Sequence, residues 1–214
     1  MAKDYKIKCC KREEACVSYK DIVELIHESF QERLDKGLRY SCSFMTEEQY
    51  IQKTKDGIIF VAVDEESGCL AGTAVLNLRF DGKRKYGYFE FAAVNNSYKH
   101  CGIGSLLLLL RKEAAMNAEC SYILSDTSTK AESAVKYHLK NGFKIVGYES
   151  YRSTNYWSYV FRMQLEPSVF WNNNVFLKFH FFCSYIFIKL TRTIDGDDTC
   201  LGKIYKQLKN ICKN

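Results

Sequence analysis

Hydrophobic and polar positions follow two periods along this chain, and the switches between them outline its elements. Tyr5–Cys10 alternates as a short opening strand. Ile22, Leu25, Ile26, Ser29 and Phe30 recur at the helical period behind a cap at Ser18 or Asp21, and Gly37 ends that helix or its continuation. Thr46-Glu47-Glu48-Gln49 has capping-box form and opens a second helix. Asp56-Gly57 turns the chain into the apolar run Ile58–Val63. Glu66-Ser67-Gly68 turns it back into Leu70–Leu78, and Asp81-Gly82 turns it again into Tyr86–Val94. Ile103–Cys120 reads as an apolar helix and Tyr122–Asp126 as a strand. Lys130–Asn141 reads as a helix with Ala134 and Leu139 inward, closed by Gly142. Phe143–Tyr151 and Tyr156–Leu165 alternate as a final pair around Ser153-Thr154-Asn155. This order predicts a mixed α/β (α+β) fold: one mixed central sheet flanked by helices, not a regular βαβ repeat.

Composition changes the picture at Pro167, the only proline. We therefore divide the chain into a domain over 1–167 and an aromatic, basic extension over 168–214. The extension carries Phe170, Trp171, Phe176, Phe179, Phe181, Phe182, Tyr185 and Phe187. Its basic residues are Lys178, Lys189, Arg192, Lys203, Lys206, Lys209 and Lys213, against Asp195, Asp197 and Asp198. Most of the chain's net charge of +6 therefore lies there. Val175–Leu190 is shorter than the roughly 20 residues a membrane span needs, and it carries charge. Three readings follow: packing on the domain or on a second copy, lying in a membrane interface, or a short span.

With 214 residues and 47% apolar content, the chain can bury one sizeable core. The basic excess suits an acidic ligand, and without an arginine-rich run it does not point to nucleic acid. Ten cysteines are scattered with no CxxC pair, so a zinc site is not expected. Met1–Tyr5 lacks an apolar signal core, so mostly buried, reduced thiols and a cytoplasmic location are expected.

Chemistry concentrates in Lys99-His100-Cys101-Gly102-Ile103-Gly104-Ser105, between an alternating strand and the leucine run Leu106–Leu110. Glycine lets a bulky anion approach the main chain, and a helix start offers unpaired N–H groups with partial positive charge. Together these suit a pyrophosphate. A second motif lies at Ala131, Ala134, Tyr137, His138, Lys140, Gly142 and Phe143. Glu90 stands out as a carboxylate flanked by Phe89 and Phe91, sharing by alternation a strand face with Tyr88, Ala92 and Val94.

These two motifs and the element order resemble the GNAT acetyltransferase superfamily over roughly residues 3–166. The family loop runs Arg or Gln, two residues, Gly, one residue, Gly or Ala, so Lys99 is a cationic departure. Asn96 stands where proline is common, Ala131 where asparagine is, and His138 where tyrosine is.

The resemblance implies a sheet splayed between two parallel strands, here Tyr86–Val94 and Tyr122–Asp126, with acetyl-CoA as co-substrate and no metal. The backbone of Ala92, Ala93 and Val94 would hold the pantetheine arm. The N–H groups of His100, Cys101, Gly102, Ile103, Gly104 and Ser105 would hold the pyrophosphate, with Lys99 adding charge. Glu90 would take the acceptor's proton and His138 would supply one to the thiol. Tyr88, Ser125 and Asp126 would lie near the acceptor, and Arg39, Tyr40 and Phe44 would shape its pocket. The implied reaction is acetyl transfer to a small amine or amino sugar. The rivals are a peptide acceptor, or a catalytically weak CoA-binding module tethered through the tail. Residues 168–214 would contact a membrane surface or a second copy.

Overall fold

The computed structural model describes residues 5–82, 84–152, 154–167, 174–194 and 197–211. Met1–Asp4, Ser153, Phe170, Trp171, Asp195, Cys212 and Lys213 lie outside them. The strands are β1 (Ile7–Lys11), β2 (Gly57–Asp64), β3 (Leu70–Asp81), β4 (Arg84–Val94), β5 (Tyr122–Ser128), β6 (Lys144–Ser150) and β7 (Trp157–Gln164). The helices are α1 (Arg12–Ala15), α2 (Tyr19–Asp35), α3 (Glu47–Thr54), α4 (Ile103–Asn117), α5 (Glu132–Lys140), α6 (Asn174–Thr191) and α7 (Cys200–Ile211). Strand order is β1-β2-β3-β4-β5-β7-β6, the mixed α/β arrangement expected. Two compact units divide the chain: Met1–Gly37 with Ser41–Ile123, and Leu38–Tyr40 with Leu124–Asn214.

In the first unit β1 to β4 form an antiparallel meander. Ser18 caps α2 by accepting from the Asp21 N–H, and Ile22, Val23, Leu25, Ile26 and Phe30 are its buried stripe. The Thr46 capping box closes both ways, Thr46 Oγ1 accepting from Gln49 N–H and Gln49 Oε1 from Thr46 N–H. α4 lies against one face of the meander. A Cβ on Gly72 of β3 would come within 2.8 Å of Ile103, and one on Gly87 of β4 within 3.4 Å of Ala115. Glycine at both positions lets strand and helix approach closely. On the other face, Asn77 of β3 donates to the Lys53 carbonyl of α3, and the Phe91 ring meets Tyr50. The single turn α1, which the hydrophobic pattern does not announce, is held where Arg12 donates to the Val17 carbonyl and stacks on Tyr19.

The second unit pairs β6 with β7 antiparallel and sets α6 against β6. The register of β6 shifts between Ile145 and Gly147. There His180 Nδ1 donates to the Val146 carbonyl, while Ser184 Oγ accepts from the Tyr148 N–H and donates to its carbonyl. Four helical residues rise about 6 Å and two strand residues about 6.7 Å, so residues i and i+4 of α6 match alternate residues of β6. Backbone groups that no strand pairs are thus answered by a helix.

Three expectations are corrected. Leu139 is 47% exposed, because α5 buries none of its residues fully. Only Cys10, Cys42 and Cys120 are buried among the described cysteines, while five others are exposed. No helix among the described residues is long and apolar enough to cross a membrane, which removes the spanning reading of Val175–Leu190.

Candidate active site

The loop after β4 is shaped by its own short-range bonds. Asn95 donates its N–H to the Ala71 carbonyl and accepts from Ser97 N–H through its side chain. Asn96–Tyr98 is a single 3₁₀ turn. His100 and Gly102 then take left-handed backbone at φ 67° and 79° before α4 begins. That conformation costs a non-glycine residue about 1–2 kcal/mol, so His100 carries strain that Gly102 does not. A Cβ on Gly102 would find no heavy atom within 4 Å, so the loop is open there.

Not every N–H of the loop is available to an anion. Cys101 donates to the Tyr98 carbonyl at 3.4 Å and Ser105 to the Gly102 carbonyl at 2.9 Å. His100, Gly102 and Ile103 have no backbone acceptor among the described residues. The cradle is therefore narrower than the span from His100 to Ser105. Lys99 pairs with Glu32 of α2 at 3.7 Å, with both side chains exposed. Lys36, with Lys99 adding to it, holds the Glu32 carboxyl below the usual range. The Val94 carbonyl accepts from Ser29 at 3.1 Å, which leaves Ala92 and Ala93 as the less committed part of that edge.

Remote residues fasten this loop. The buried Tyr98 donates its hydroxyl to Asp64 Oδ2 at 2.9 Å, and Ser67 donates to the same oxygen at 2.8 Å. Tyr5 packs its ring on Tyr98 and donates to the Ser97 carbonyl. Hydrogen bonds from Ser67 first, then Tyr98, hold the Asp64 carboxyl below its ordinary range. Sequence reasoning read Glu66-Ser67-Gly68 only as a turn. The signal it passed over was Asp64 three residues before Ser67, the spacing of a carboxylate that closes a turn.

Glu90 is placed by a bulge that alternation could not foresee. Val75 pairs with Glu90 and Thr73 with Ala93, so two residues of β4, Phe91 and Ala92, oppose one of β3. Phe91 occupies the bulge at φ 50°. The extra residue swaps the faces beyond it, so Glu90 shares its side with Tyr88 and Ala93 rather than with Ala92 and Val94. On that side Glu90 Oε2 accepts from Asn77 Nδ2 at 2.5 Å and from Arg79 Nη2 at 2.9 Å. Oε1 has no partner among the described residues. Arg79 also lies over the Tyr88 ring at 4.0 Å. Asn77 and Arg79 were missed from sequence; a polar pair closing an otherwise apolar strand was the available signal.

His138 sits in the second unit. Its Nδ1 lies 2.7 Å from the Ala134 carbonyl, which can only accept, so Nδ1 carries a proton. Nε2 lies 3.0 Å from Ser125 Oγ. A neutral ring accepts from Ser125 at Nε2, and a charged ring donates to it. The imidazole stacks on Phe161 and meets the edge of Phe143. Asp126, next to Ser125 on β5, takes the opposite side of the strand. Arg39 is exposed and donates its N–H to Asn155 Oδ1. Tyr40 is buried with its ring 4.8 Å from Tyr156. Among the described residues no group of three or more His, Cys, Asp or Glu is placed to hold a metal.

The sequence model of the Acetyltransferase (GNAT) family matches residues 19–143, more than half of the chain. The chain belongs to the GNAT acetyltransferase family and is an acyltransferase. Solved structures with the same fold include the NatC complex bound to Gag peptide and CoA, at 19% identity and TM-score 0.57, covering 75% of this chain and 99% of that one. The IAA acetyltransferase from Bacillus cereus matches at 18% identity and TM-score 0.55, over 75% of this chain and all of that one. A GNAT acetyltransferase from Elizabethkingia anophelis with acetyl-CoA bound matches at 16% identity and TM-score 0.56, over 76% of this chain and all of that one. No curated protein matches the chain.

Proposed function

We propose that this enzyme moves the acetyl group of acetyl-CoA to the amine of a small molecule, amino sugars included, by direct attack on the thioester. One observation carries the reading: Glu90 is held by Oε2 on Asn77 and Arg79, with Oε1 open. A carboxylate fixed by one oxygen and open at the other is suited to receive a proton. As the acceptor nitrogen bonds to the thioester carbonyl, Glu90 Oε1 takes its proton, directly or through one water. The C–S bond then breaks, and the thiolate takes a proton from solvent or from the charged form of His138. The neutral ring offers a lone pair at Nε2, so His138 acts as a donor only when protonated.

The residues present suit the co-substrate. The N–H groups of His100, Gly102 and Ile103, at an open left-handed turn, would take the pyrophosphate, with Lys99 adding a point charge. The backbone of Ala92 and Ala93 would hold the pantetheine arm as an added strand would.

The chain's net charge of +6 favours a small amine over a basic peptide. The fold does not choose between them: the NatC structure holds a peptide and the Bacillus cereus neighbour is named an IAA acetyltransferase. We place the reaction in the cytoplasm and assign residues 168–214 to attachment, at a membrane surface or in a homodimer. The test is thiol release from acetyl-CoA with amines, amino sugars and peptides, for wild type, Glu90→Gln and His138→Phe. Turnover of a small amine, reduced at least tenfold by Glu90→Gln, is the expected result. Turnover of peptides alone moves the reading to a protein acceptor. Tight acetyl-CoA binding with no turnover of any acceptor leaves a CoA-binding module.

A further inference from the structure

α6 is apolar all round, yet only one side of it is used by the protein. Leu177, Ile188 and Thr191 are buried, and Ser184 on the same side bonds to β6. On the opposite side, at about 100° per residue, stand Phe179, Phe182, Ile186 and Leu190. They are 66%, 58%, 41% and 51% exposed. An unbroken stripe of large apolar side chains facing water over three turns calls for a partner. α7 extends the apolar surface. Leu201, Ile204 and Tyr205 share one of its sides and are all exposed. Tyr205 meets Phe187 of α6 edge to face at 5.1 Å. The two helices abut where Gly202 faces the Thr191 carbonyl so closely that a Cβ could not fit.

Among the described residues, the charges beside this surface that lack an ion-pair partner are lysines. Among the described residues of the tail the carboxylates are occupied: Asp198 pairs with Arg192 and Lys206, and Asp197 with Arg152. Lys178 and Lys189 have no carboxylate partner among the described residues. Lys178 and Lys189 lie along one border of the exposed stripe of α6. Lys189 rests its ammonium over the Trp157 ring at 4.3 Å, an arrangement that leaves its charge at the surface. Apolar side chains rimmed by lysines match a bilayer whose headgroups are negative, with rings below the headgroups and ammonium groups among them. A second copy docked antiparallel, face to face, would set Lys178 and Lys189 against their own kind.

We infer that the α6–α7 hairpin is a membrane-surface element that inserts Phe179, Phe182, Ile186 and Leu190 into the interface of an anionic bilayer. The inference deepens the assignment of the tail to attachment and is independent of acetyl transfer. It is tested with the full chain by flotation with phosphatidylcholine vesicles, with and without phosphatidylglycerol, at low and high salt. Binding to the anionic vesicles alone is expected, falling at least about tenfold at high salt. Lys178→Gln with Lys189→Gln should weaken it by about fivefold per lysine. Phe179→Ser with Phe182→Ser should abolish it while helix content and melting temperature stay at the wild-type values. Equal binding to both vesicle types, or none to either, overturns the proposal. A dimer in light scattering that Phe179→Ser, Phe182→Ser splits, without vesicle binding, makes a second copy the occupant. A monomer that binds no vesicle removes the attachment role altogether, and the acetyl-transfer assay is untouched by either result.

Discussion

β4 and β6 each carry a bulge, and they use it in opposite ways. In β4 the extra residue is Phe91, whose ring goes to Tyr50 while Glu90 turns toward Asn77 and Arg79. A carboxylate oxygen stays open on that side. In β6 the irregular stretch is covered, with His180 on Val146 and Ser184 on both backbone groups of Tyr148. A break in a ladder leaves polar groups that must be answered. β6 answers them with a helix and becomes a closed edge. β4 uses the break to aim a side chain, and accepts left-handed backbone at Phe91 in return.

The largest expected effect separates the two strands by function. Glu90→Gln should lower kcat by about 10²-fold or more, with acetyl-CoA affinity and melting temperature near wild type, as steady-state kinetics and calorimetry would register. Ser184→Ala should do the reverse. It strands both backbone groups of Tyr148 and should cost about 1–3 kcal/mol in denaturant unfolding, with unchanged turnover per folded molecule. A loss of turnover matching that of Glu90→Gln would erase the distinction.

Gly102→Ala probes the loop that follows β4. No atom crowds the new methyl, so the cost is backbone strain alone, about 1 kcal/mol. A several-fold rise in the acetyl-CoA dissociation constant is expected, and no change would show that the left-handed turn is not needed for binding.

The smallest effect is in the anchor of that loop. The Asp64 carboxyl is held below its ordinary range, so its ionised form is favoured by folding. The stability it contributes is fully present above the unfolded value of about 3.9 and is lost as pH falls through the lower folded value. Wild type and Asp64→Asn should therefore differ by a constant amount at neutral pH and converge below about pH 4. A gap that persists in acid would assign the effect to packing.

Most of the first unit was legible because its signals are local. Ser18, the Thr46 capping box, the glycine loop and the alternation of β2 and β3 each act within a few residues. The bulge at Phe91 was not, because aromatic residues stand on both sides of Glu90 and no glycine marks the left-handed position. The partners of Glu90 escaped for a related reason. Asn77 and Arg79 are thirteen and eleven residues away in sequence and become neighbours only through the β3–β4 register.

The tail shows the limit from the other side. Its aromatic content was plain, but an all-round apolar helix cannot declare which face is buried. The contacts of His180 and Ser184 with β6 decide it. By itself the sequence determined the family, the element order, the helix caps and the glycine turn, since each is written in adjacent residues or in one period. Only tertiary structure decided which side of β4 presents Glu90, which oxygen of Glu90 stays open, which nitrogen of His138 holds its proton and which face of α6 meets water. Each of these depends on register or on a distant hydrogen-bond partner, and neither is encoded in any short stretch of chain.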